Sequence, residues 1–112
     1  MMSKRTDKRT QSALVRAVLM TLSAEITRNR KRRGFSQDDL AQRVGCSRNT
    51  LRAIEAGRPT VEIGLFLEAA VLLDIPLLGG DARNIRLRGD YAQRESELLP
   101  QPRSVTEIFD DF

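Results

Sequence analysis

Residues 36–58, SQDDLAQRVGCSRNTLRAIEAGR, carry helix stop and start signals so close together that only two short helices joined by a tight turn satisfy them. Ser36 is a good N-cap, and Asp39 three positions on completes an S-x-x-D variant of the capping box. Asp38, in the first turn, meets the positive end of the helix dipole. Leu40, Ala41 and Val44 fall at i, i+1 and i+4 and make one apolar stripe. Gly45 supplies the positive φ that ends this helix. Ser47 is the next N-cap, Leu51 and Ile54 form the inner face of a second helix, and Gly57 closes it. Arg48, Asn49, Thr50 and Arg52 are left facing outward with no acid among them. Such side chains suit the donors and acceptors on base edges.

The rest of the chain is consistent with a helical reading. Its 112 residues allow one small domain plus tails. Apolar residues make up 40% and aromatics 4%, with no Trp, so the core is aliphatic. Helix formers dominate and no alternating β-branched run appears, which predicts an all-α fold. The single Cys46 cannot make an internal disulfide and reads as a reduced filler of the turn. No apolar run approaches the ~18 residues of a membrane span and no signal-peptide core is present, so a cytoplasmic location is expected.

The helix–turn–helix stretch resembles the Cro/cI-like (XRE) DNA-binding domains. The resemblance rests on Ala41, Gly45 four residues later and Leu51 six beyond, on G-F-S-Q-D-D-L-A at 34–41 and on I-E-A-G-R at 54–58, and it covers about residues 19–78. It implies a lambda-repressor-like helical bundle. It also implies a homodimer reading a palindromic double-stranded operator. Gln37, at the start of the motif's first helix, would brace the backbone or a base. Arg48, Asn49 and Arg52 would enter the major groove, with the Arg48 fork matched to guanine and Asn49 to adenine. Ser47, Thr50 and Arg58 are expected at phosphates.

Charge is divided along the chain. Residues 1–58 carry 14 Lys/Arg and 5 Asp/Glu, a net of +9, whereas residues 59–112 carry 5 and 10, a net of −5. A basic half joined to an acidic half suggests a polyanionic partner and a second, different one. Residues 1–10 hold Lys4, Arg5, Lys8 and Arg9, and read either as a solvated start or as a basic arm along DNA. Residues 11–80 are expected to form the DNA-binding domain with an extended first helix, predicted over 11–33. Its added turns, 12–18, either cover the core or pair with a second subunit. That helix ends in Arg28, Arg30, Lys31, Arg32 and Arg33, more cations than a helix C-terminus needs. Arg30, Arg32 and Arg33 are therefore expected to contact the DNA backbone. Glu55, inside this basic region, is expected to pair with a nearby Arg.

Pro59 and Thr60 predict the start of a fourth helix, with Thr60 as its N-cap and Val61, Leu65, Ala69, Leu72 and Leu73 on its inner face. Residues 81–112 read as a mostly irregular interaction tail. Ile85 and Leu87 suggest a short strand, Gly89-Asp90 a turn, and 91–99 two turns of helix. The end, VTEIFDDF, mixes Val105, Ile108, Phe109 and Phe112 with acids, which suggests either a docking segment or a tail packed on its own domain. The Leu-Pro-x-x-Arg segment at 99–103 and the D-D-F ending are similar to HipB-like antitoxins. That similarity implies a HipA-like kinase toxin as partner.

Two other classes compete with a DNA-binding repressor. An adaptor could keep the helices without reading DNA, but its face would more naturally be apolar or acidic. For an enzyme there is no His, no base for Cys46, no Gly-rich phosphate loop and no metal-ligand spacing. No catalytic residue, metal or cofactor is expected.

Overall fold

The computed structural model describes residues 11–103. Five helices follow in order: α1 (Ala13–Arg32), α2 (Gln37–Val44), α3 (Arg48–Glu55), α4 (Ile63–Leu72) and α5 (Ala82–Leu98). No β-strand occurs among the described residues, so the class is all-α as expected. The chain divides into two compact units, Met1–Leu77 and Leu78–Phe112.

The first unit holds the buried core. Ile26 of α1, Leu40 and Ala41 of α2, Leu51 and Ile54 of α3, and Phe66, Ala69 and Ala70 of α4 are buried together with Leu73 and Ile75. Phe66 is the only aromatic in this group, so the interior is built mainly from branched aliphatic side chains. Leu19, Leu22, Phe35, Val44, Cys46, Val61, Leu65 and Leu77 pack around it. The Ser23 hydroxyl is buried and donates to the Ile54 carbonyl (2.6 Å), fastening α1 to the end of α3.

α1 starts at the Ser12 N-cap, whose hydroxyl accepts from the Val15 amide. Its first turns do not cover the core: Leu14, Val15 and Val18 are all exposed, and the core begins at Leu19. Asn29 donates to the Glu25 carbonyl along its own helix (2.8 Å).

The fourth helix begins later than Thr60. Pro59 sits at the second position of a turn closed by the Val61 amide on the Arg58 carbonyl (3.4 Å), a place its fixed φ favours. The turn uses up Thr60, and Val61 packs on the core from the loop. α4 then starts at Ile63 behind Glu62, which makes no side-chain cap. It ends in a left-handed Asp74 (φ 57°), with the Ile75 amide on the Ala70 carbonyl and the Asp74 amide on that of Val71. Buried Ile75 supplies the accompanying apolar contact.

The second unit departs from the sequence expectation. Residues 82–98 form one helix, with neither a strand at Ile85 and Leu87 nor a turn at Gly89-Asp90. Asp81 caps it, accepting from the Asn84 amide (2.8 Å), and a good cap followed by helix formers outweighs two weak breakers. The helix buries no residue. It ends at the Leu99 C-cap, just before Pro100, and residues 100–103 have no regular structure.

Candidate nucleic-acid interface

α2 and α3 meet at Gly45, whose φ of 88° places it in the left-handed region that a side chain would disfavour. The Gly45 and Cys46 amides both reach the Ala41 carbonyl (2.8 and 3.0 Å), so the chain reverses within one peptide of the helix end. Ala41 is buried there, and its small side chain leaves room for α3. The capping box at α2 is complete: the Ser36 hydroxyl accepts from the Asp39 amide, and the Asp39 carboxylate accepts from the Ser36 amide (2.9 Å). That amide, the Ser36 hydroxyl and nearby Arg43 hold the Asp39 carboxyl below its ordinary value. Arg43 also lies over the Phe35 ring, 4.4 Å from its centroid.

α3 is oriented by its inner face, where Leu51 and Ile54 are fully buried. Arg48, Asn49 and Arg52 on the opposite side are exposed, and Thr50 is half-buried. Ser47 caps the helix: its hydroxyl accepts from the Thr50 amide (3.0 Å) and donates to the Thr50 hydroxyl (2.9 Å). Arg48 lies 3.4 Å from the Asp38 carboxylate, and both side chains are more than half exposed. An ion pair this open is worth little and does not commit the guanidinium.

The α1 cations separate by role. Arg30 is not available as a backbone contact. Its Nε and Nη2 donate to the Glu55 carboxylate (2.6 and 3.2 Å), its Nη1 donates to the Phe35 carbonyl (2.9 Å), and both charged side chains are about nine-tenths buried. Charge transferred this deep needs a partner, and Glu55 is it. The expected pairing of Glu55 with an arginine is therefore present. Gln37 joins the pair, donating from Nε2 to Glu55 Oε1 (3.0 Å), so its amide nitrogen braces α2 against α3. Arg33 is also engaged, with Nη2 on the Asp74 carboxylate (2.7 Å) and donors toward the Leu72 and Leu73 carbonyls that close α4. Arg32, Arg52 and Arg58 are exposed and make no ion pair among the described residues.

The Arg30–Glu55–Gln37 cluster was only half legible in the sequence. An acid inside a cationic stretch signals a pair, but not which cation supplies it. Burial of the thiol pushes the Cys46 pKa up, away from thiolate chemistry. A hollow of about 360 Å³ beside α3, lined by Asn49, Thr50, Ala53, Thr60, Val61, Glu62 and Leu65, has no cation in its wall and suits neither phosphate nor a metal. Among the described residues no group of His, Cys, Asp or Glu could hold a metal, and no helix is long and apolar enough to cross a membrane. Residues 1–10 and the tail residues Val105, Ile108, Phe109 and Phe112 lie outside the described part.

Comparison with known proteins agrees with this geometry. A family model described as a helix-turn-helix domain matches residues 21–82, more than half of the chain. No curated protein and no solved structure gives a match.

Proposed function

The chain belongs to the helix-turn-helix domain family, and from that premise we propose that it is a sequence-specific DNA-binding repressor acting as a homodimer on a palindromic operator. The observation that carries this reading is α3. Leu51 and Ile54 fix it from within, while Arg48, Asn49 and Arg52 stand exposed on its outer side. Arginine is the best bidentate partner of guanine and asparagine of adenine, and their first-turn position suits entry into the major groove. Arg32, Arg58, Ser47 and Thr50 supply phosphate contacts in this reading, and Gln37 holds the motif's two helices in register while its carbonyl end remains for DNA. Arg30 acts within the fold, whereas Arg33, whose pair with Asp74 is open to solvent, stays among the phosphate contacts of this reading.

An antitoxin role rests only on the 99–103 segment and the D-D-F ending, both beyond the matched residues. It therefore remains a narrower version of the same reading. The test is selection of a binding site from random duplex DNA, followed by titration with wild type, Arg48→Ala and Arg52→Ala. Each substitution should cost about 1–3 kcal/mol on the selected site and much less on random DNA. Wild type that enriches no sequence would overturn the proposal and favour the adaptor class.

A further inference from the structure

α5 has no interior to explain its composition. Leu87, Tyr91 and Leu98 are 58, 62 and 84% exposed. Together with Arg94 they recur at steps of four, three and four residues, a single seam along the helix. A helix of this length is marginal alone in water, and its apolar residues give it nothing while they face solvent.

Its charges run against its own dipole. Arg83, Arg86 and Arg88 occupy the N-terminal half, residues 82–89, which contains no acid. Asp90, Glu95 and Glu97 outnumber Arg94 in the rest, and the last turn has no basic residue. Cations near the N-terminus and acids near the C-terminus cost an isolated helix stability. They suit a helix that lies antiparallel beside an identical one.

We propose that two copies of the chain associate through antiparallel pairing of their α5 helices. The seam then sets Leu87 against the second copy's Leu98 and Tyr91 against the second copy's Arg94, where a guanidinium on a phenol ring gains a cation–π contact. Arg88 on the flank faces the second copy's Glu95, twice by symmetry. Among the described residues Arg88 donates from Nη1, to the Leu78 carbonyl and Asn84 Oδ1. Parallel pairing fails on the same residues: it stacks Arg94 on Arg94 and sets Arg83 against Arg88 and Asp90 against Glu95. The antiparallel arrangement keeps one unfavourable flank, Asp90 near the second copy's Glu97, and this supplies a diagnostic. The inference deepens the repressor reading by naming the contact that joins its two copies, but it can be tested without DNA.

Sedimentation of the full chain at micromolar concentration is the experiment. Wild type should associate as a dimer, and Leu87→Asp, at an exposed position that leaves folding intact, should be monomeric. Arg88→Glu and Glu95→Arg should each weaken the dimer roughly tenfold, because each turns two attractive pairs into repulsive ones. An equimolar mixture of those two variants should regain wild-type association, since both flanking pairs are then opposite in charge. Asp90→Lys should tighten it. A monomeric wild type, a dimer indifferent to these changes, or a mixture that fails to recover would overturn the proposal. DNA binding by the monomeric Leu87→Asp variant reads α3 separately, so loss of this contact and loss of the nucleic-acid reading give different results.

Discussion

At the scale of single residues, the positions that matter most to the fold are those where the backbone or a charge has no alternative. Gly57 closes α3 with φ 72°, and a Cβ there would lie 2.6 Å from Met20 Sδ and 3.3 Å from Ser23 Oγ. Gly57→Ala therefore adds left-handed strain and crowds the buried Ser23 hydroxyl, while the exposed end of Met20 can swing aside. It should lower stability by about 1–3 kcal/mol, read as a lower urea midpoint at unchanged slope. Arg30→Ala strands a buried Glu55 carboxylate and should cost about 3–5 kcal/mol in the same measurement, whereas the paired change Arg30→Met/Glu55→Leu should cost much less. Gly57 was visible in the sequence as a helix stop. Arg30 was not separable from its neighbours Arg28, Lys31, Arg32 and Arg33, because only the packing of α1 on α2 and α3 decides which of five cations turns inward.

At the scale of elements, local signals succeeded where the chain obeys them and failed where two compete. Ser36, Asp39, Gly45 and Ser47 specified α2, its turn and the start of α3, because each bonds within three or four residues of itself. Pro59 reads as a helix start, but its fixed φ suits the second position of a turn equally well, and the turn forms with Val61 packed on the core. Residues 82–98 carried breaker signals at Gly89-Asp90 that a continuous helix overrides. The capping box has a pH signature. The hydrogen bonds from Ser36 lower the Asp39 pKa, so its contribution is complete above the ordinary aspartate value of 3.8 and is lost as pH falls through the lowered one. Asp39→Asn should flatten that acid limb in thermal melts while leaving the neutral-pH fold in place.

At the scale of the whole molecule, the buried core lies between Ile26 and Ile75. A chain ended after Gly80 should therefore keep a cooperative unfolding transition, checked by circular dichroism, while losing the association attributed to α5. The basic half predicts steep salt dependence of DNA binding. Arg58→Ala should reduce the slope of log K against log salt by about 0.9 on specific and random DNA alike, the behaviour of a phosphate contact. The chain has no Trp and a single Tyr, and that residue, Tyr91, sits in the middle of the α5 seam. All tyrosine emission thus comes from one phenol outside the helix-turn-helix unit. The protein carries an intrinsic fluorophore whose lifetime and acrylamide quenching report on this helix, so its self-association can be followed without a label.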